Sequence, residues 1–124
     1  MKRPITRGIW VSACAIALLI GSGCAVHHGD FTVVSNKLVD VSKFELGKAD
    51  RAKGIVGEDI VHIVVLFQIG GIPTVEAAID DALEKGNGDV ITDASIDSWF
   101  WYIPYIYGQT GWRVKGDVVK TRKN

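Results

Sequence analysis

The sequence predicts an α+β fold: a small two-layer domain in the order β-β-β-α-β-β, mostly antiparallel, with one helix packed on one face, after an N-terminal signal helix. Three observations carry this. Residues 74–86, "TVEAAIDDALEKG", place Val75, Ala78, Ile79, Ala82 and Leu83 on one helical stripe. Residues 90–97 and 111–120 alternate with a period of two, the mark of strands with one buried face. Residues 60–69, "IVHIVVLFQI", are apolar and β-branched on both faces, which predicts a central strand.

The chain begins with residues that direct processing rather than folding. Lys2, Arg3 and Arg7 precede an uncharged apolar run, residues 8–20, and then "GSGC". A basic start, an apolar middle and small residues before a cut site make a secretory signal. Residues 20–24, "IGSGC", resemble the lipobox of bacterial lipoproteins, with Gly21 where that family usually has Leu. The resemblance implies cleavage before Cys24, a diacylglycerol thioether on Cys24 and acylation of the new N-terminus. The alternative is an uncleaved anchor, since residues 8–26 are uncharged and approach the ~20 needed to span a bilayer. Ala25, rather than Asp, follows the cysteine. In lipoproteins of this kind, that implies the outer membrane, facing the periplasm. The expected organisation is a signal peptide at 1–23, a tether with lipidated Cys at 24–30, one α+β domain at 31–120 and a basic tail at 121–124.

Composition narrows the function. The 14 basic and 14 acidic residues balance, and removing the leader leaves a weakly acidic domain. Such a domain has no electrostatic drive toward nucleic acid. Of the two cysteines, Cys14 lies in the leader and Cys24 is the acylation candidate. No thiol remains for a disulfide, a metal or a nucleophile.

Within the domain, residues 31–34 and 38–41 are short β-like runs around "SNK", which predicts a hairpin. Residues 47–59 are rich in Gly and charge, which predicts a loop with one helical turn at 48–53. Residues 70–74, "GGIPT", turn the chain into the helix, with Thr74 as N-cap, Glu76 near the positive end and Gly86 as the C′ residue. Glu76, Asp80, Glu84 and Lys85 form its polar side. The next strand sets Val90, Thr92, Ala94 and Ile96 against Ile91, Asp93, Ser95 and Asp97. The last points Trp112, Val114, Gly116 and Val118 inward, leaving Arg113 and Lys115 to meet Asp93 or Asp97.

Residues 69–97, "IGGIPTVEAAIDDALEKGNGDVITDASID", resemble small bacterial lipoproteins of the TRL-like type. Their name derives from a tRNA-associated locus and implies no tRNA binding. The resemblance covers about residues 47–122. It implies a lipobox leader before one compact α+β domain, and it supplies no catalytic residues.

No motif announces chemistry. His27 and His28 are adjacent and would point opposite ways on an extended strand, with no third ligand to make a metal site. Asp80 and Asp81 do not face each other on a helix. Asp93 and Asp97 lie ~13 Å apart along a strand. Ser95 and Ser98 have no evident His partner, and His62 is expected to be half-buried with one hydrogen bond. The "GGIPT" helix start lacks the lysine of a phosphate loop. No catalytic residue, metal or cofactor is therefore expected.

The strongest functional signal is aromatic. All three Tyr and three of the four Trp fall in residues 98–112, "SWFWYIPYIYGQTGW". Alternation assigns Phe100, Tyr102 and Trp112 to the core. Pro104 rules out a central ladder position, so residues 103–109 are expected to connect the last two strands. Trp99, Trp101, Tyr105 and Tyr107 are left as a contact surface. The expected function is a lipid-anchored, non-enzymatic protein of the bacterial cell envelope. It would meet the membrane through its lipid, and an envelope protein or peptidoglycan through these aromatics. The alternatives are a membrane-interface-binding protein and a small envelope hydrolase.

Overall fold

The computed structural model describes residues 11–13, 15–16, 23–40, 42, 45 and 49–121. The expected signal helix and basic tail fall mostly outside the described residues. Among the described residues from Gly23 on, five strands and one helix follow in order: β1 (Gly23–Val34), β2 (Arg51–Val64), β3 (Phe67–Ile69), α1 (Val75–Gly86), β4 (Val90–Ile103) and β5 (Tyr107–Val119). The strands form one sheet, β1-β4-β5-β2-β3, with every neighbouring pair antiparallel. This is the α+β class read from the sequence, with α1 on one face of the sheet.

The helix forms as its pattern requires. Thr74 Oγ1 accepts from the Ala77 amide at 3.2 Å, and Ala78, Ile79, Ala82 and Leu83 are buried. They pack on Ile91, Ala94, Ile96, Val114 and Val118. The C-terminus differs from expectation. Asn87, in the left-handed region at φ 49°, is the cap residue. Gly86 remains helical and lies against Val118, where any Cβ would collide. The sequence made Gly86 the turn residue, but packing claims it instead.

α1 rests chiefly on β2 and β5, and Gly57 lets it approach. A Cβ there would overlap the Ala78 carbonyl oxygen and come within 2.5 Å of the Ala82 nitrogen. Residues 51–59 are therefore strand, not the expected loop, and residues 51–53 form no helical turn. Gly57 lies under the helix, while Gly54, at φ 63°, belongs to a bulge between Ala52 and Ile55. The glycines that suggested a loop are a close approach and a bulge within a strand.

Five further expectations change. Residues 31–34 end a long β1 that pairs with β4 along its length, so no hairpin forms with residues 38–40. The turn residues are engaged elsewhere. Ser35 donates to the Asp89 carbonyl at 2.7 Å, and Asn36 donates to the Glu76 carbonyl at 2.9 Å. Residues 24–30, expected as a tether, lie within β1. Residues 60–69 fold back on themselves at residues 65–66, so β2 ends at Val64 and β3 is an edge. Val65 takes φ 59°, a conformation that a β-branched residue rarely adopts.

In β4, Asp93 takes φ 51° inside a bulge, which reverses the alternation. Ile91, Ala94 and Ile96 meet the helix, and Val90 and Thr92 turn to the other face, where they too are buried. Finally, the connection between β4 and β5 is only residues 104–106, and Tyr107–Gln109 already pair as strand.

Candidate functional site

The sheet face opposite α1 carries the aromatic residues that alternation set apart from the core; Phe100, which alternation assigned to the core, is instead 46% exposed at the edge of the helix-side face. Trp99 and Trp101 project there from β4, Tyr107 and Gln109 from β5, and Ile60, His62 and Val64 from β2. Register sets this grouping: Trp101 pairs with Gln109, which also pairs with His62. Gly111, between Trp99 and Ile60, leaves room for the indole of Trp99, whose ring would touch a Cβ placed there at 3.4 Å.

The strip is connected by specific contacts. Trp101 meets Tyr107 edge-on at 5.6 Å between ring centroids, and Tyr107 stacks with His62 at 5.9 Å. The Tyr107 hydroxyl hydrogen-bonds to His62 Nδ1 and accepts from Gln109 Nε2 at 2.8 Å. Trp101 and Tyr107 are half-buried, and His62 is exposed. The indole N–H of Trp99 is buried with no hydrogen-bond partner among the described residues. Such a donor costs free energy unless something satisfies it. Of the four aromatics predicted as a contact surface, Trp99, Trp101 and Tyr107 are brought together. Tyr105 is not among them; it lies in the β4–β5 turn, 75% exposed.

Charge borders the strip on the side away from that turn. Arg113 Nε donates to Glu58 at 2.6 Å, and Arg51 lies 3.6 Å from Asp117. The expected meeting of Arg113 with Asp97 exists in register, but the guanidinium binds Glu58. Asp97 instead bonds His27 Nδ1 at 2.7 Å. That bond holds the His27 imidazolium above its ordinary pKa; partial desolvation works against it and Asp30 adds to it.

The two adjacent histidines diverge, as their spacing predicts. A bulge between His27 and Gly29 directs His28 to the helix side. There it bonds Ser98 Oγ at 2.7 Å, and its ring lies 4.6 Å from Trp112. Ser98 therefore has a histidine partner that the sequence does not reveal, because the pair is 70 residues apart. No carboxylate among the described residues bonds His28 to orient it, as a nucleophile–base–orienter arrangement requires. Trp112 Nε1 donates to the Pro73 carbonyl at 3.2 Å, so this ring braces the approach to α1. Among the described residues, no group of three His, Cys, Asp or Glu is arranged to hold a metal ion.

Two of the helix carboxylates, Asp80 and Asp81, are engaged within the fold, Asp80 accepting from Asn36 at 3.1 Å. Asp81 accepts from the Glu58 amide at 2.8 Å and from Lys85 at 2.6 Å. Burial raises its pKa, but the Lys85 and Glu58 hydrogen bonds and the Lys85 charge outweigh this and hold the carboxyl below its usual range.

Two turns close the end of the sheet beyond the strip. Leu66 and Phe67 protrude from the β2–β3 hairpin, 67% and 75% exposed, beside Tyr105 and Ile106 of the β4–β5 turn. The turns are tied together. The Val65 amide donates to the Ile106 carbonyl, and the Tyr102 hydroxyl donates to the Val65 carbonyl while accepting from the Tyr105 amide. Residues 60–75 and 98–112 contain no Asp, Glu, Lys or Arg. Sequence reasoning missed Leu66, Phe67 and Ile106 because it placed the first two in a central strand. The lack of charge over 60–75 was the available signal.

Cys24 is exposed near the start of β1, level with Phe100. No helix among the described residues is long and apolar enough to cross a membrane. No known protein family, curated protein or solved structure matches this chain.

Proposed function

We propose that this is a lipid-anchored protein of the bacterial cell envelope, facing the periplasm from the outer membrane, whose role is contact rather than catalysis. The observation that carries the contact role is the strip of Trp99, Trp101 and Tyr107 on a sheet face that α1 leaves open. Half-buried aromatics with polar neighbours such as His62 and Gln109 are suited to a partner that is itself partly polar. An envelope protein or peptidoglycan fits that description. The anchor rests on the resemblance of residues 20–24 to a lipobox and is supported by the exposure of Cys24. The leader and the strand–helix–strand segment keep their resemblance to TRL-like lipoproteins as part of this reading.

Two measurements test it. Wild-type chain should incorporate labelled palmitate in a bacterial host and Cys24→Ala should not; an unlabelled wild type removes the anchor. A photo-crosslinking amino acid at position 101 should give discrete envelope adducts, or co-sediment with sacculi. The same group at position 84, on the far side of α1, should not. Equal behaviour at both positions would remove the strip as the contact surface.

The Ser98–His28 bond favours one second reading, a small hydrolase using that pair. Ser98→Ala would then abolish turnover of an envelope ester or amide substrate while leaving the fold intact.

A further inference from the structure

The two turns at the end of the sheet have a third neighbour. β1 starts at Gly23, which pairs with Trp101. The strand therefore enters the sheet at the same end as the turns and runs away from them. Cys24 is level with Phe100, and the β4–β5 turn begins four residues further along β4, ~13 Å at strand rise. Val26 and Phe100, 52% and 46% exposed, lie beside Cys24.

We propose that the paired turns, Leu66 and Phe67 with Tyr105 and Ile106, are a membrane-contact tip that enters the outer part of the same bilayer that receives the Cys24 lipid. The inference deepens the anchoring reading and takes its direction from it. Acyl chains on Cys24 place that residue at the bilayer surface. A sheet extending about 13 Å past the attachment point then brings its end into the membrane, at a depth comparable to the ~5–10 Å that interfacial segments reach.

The residues at that end follow the depth profile of a bilayer interface. Aliphatic and phenyl groups stand outermost. Trp101 and Tyr107 come next, at the membrane–water boundary that Trp and Tyr favour, where their face still meets a partner seated at the bilayer surface. The first ionised pair, Glu58 with Arg113, lies further back. The hydrogen bonds between the turns hold both in one protruding unit, so little ordering is left for binding to impose. The acyl chains on Cys24 already supply stable attachment; a tip without charge on the same edge fixes how the domain is oriented on the bilayer.

The test uses the full chain as processed by a bacterial host, extracted and reconstituted into vesicles of phosphatidylethanolamine and phosphatidylglycerol. An environment-sensitive fluorescent amino acid is placed at position 66 or, as control, at exposed position 53 at the far end of β2. Emission from 66 should shift to the blue and be quenched by brominated acyl chains, while 53 stays water-like. With the probe moved to 106, Leu66→Asp should reverse the shift without unfolding the chain, since both side chains are exposed. Water-like emission at 66 in a palmitate-labelled protein overturns the tip and leaves the anchor. A lipid-buried 66 without palmitate keeps the tip and overturns the anchor. Water-like emission at 66 that is shielded only by added envelope protein also overturns the proposal, in favour of a protein contact.

Discussion

The two ends of this sheet are about equally apolar in sequence and opposite in structure. At one end, Ile91, Val114 and Val118 lie beneath α1 with at most 1% exposure. At the other, Leu66, Phe67, Tyr105 and Ile106 stand in solvent. Their surroundings differ as well. The covered end is bordered by Arg51, Glu58, Asp81, Lys85, Arg113 and Asp117, several in mutual ion pairs. The exposed end has no Asp, Glu, Lys or Arg in either contributing segment. Apolar residues in the first region hold the fold, and in the second they are available to something outside it. Apolar character alone does not distinguish the two; the distribution of charge around them does.

The sharpest way to break the contrast is to lift the helix from the sheet. Gly57→Val puts a branched side chain where even a Cβ overlaps the Ala78 carbonyl. It should cost ~3 kcal/mol or more, because α1 must move as a unit. Urea unfolding would show the loss, and a variant of wild-type stability would mean that α1 does not sit on Gly57.

Matched truncations then compare the two ends directly. Ile91→Ala should destabilise by about 3 kcal/mol through lost burial and a residual cavity. Leu66→Ala, which removes a similar group, should stay within ~0.5 kcal/mol of wild type. Equal losses in denaturant titrations would show that the tip is structural after all.

The smallest expected effect concerns the charged border. Hydrogen bonds to Asp81, from Lys85 and the Glu58 amide, and to Asp89, from Thr121 above all, hold both carboxyls below their usual range. Their stabilisation is present above the unfolded carboxylate pKa and is lost as pH falls through the folded values. His27 is shifted the other way. Its contribution is complete below the unfolded value of ~6.5 and fades as pH rises through the raised folded one. The midpoint of unfolding should therefore be highest at about pH 5–6 and decline gently on both sides. Asp97→Asn should bring the His27 titration, followed by NMR, back toward its ordinary value. An unchanged titration would remove the Asp97 bond as the cause.

Much of this was readable from local chemistry, and particular residues show where reading stopped. Thr74, the apolar stripe and the small faces of Ala78 and Ala82 identified α1, because a helix is decided by residues three and four apart. Trp112, Val114 and Val118 were placed inward correctly, and Trp99 and Trp101 on the opposite face, because strand alternation is local. Asp93 defeated the same rule. One left-handed residue inserts a bulge, and Val90 and Thr92 exchange faces with Ile91. Gly57 concealed a strand, since its reason for being glycine lies 21 positions away at Ala78. Ser98 and His28 met across an antiparallel pairing that no spacing rule could suggest.

Alternation divides a strand into two faces, and charge marks the segments that avoid water or seek it. The chain alone therefore carried the helix, the α+β class and the uncharged aromatic stretch. Which face α1 covers, and which strand lies beside which, depends on pairing between segments distant in sequence. That pairing is stabilised by contacts that exist only once the sheet has assembled. It alone joined Trp101, Tyr107 and His62 into one strip, left the opposite face to α1, and set Cys24 at the same end as the turns of Leu66 and Ile106.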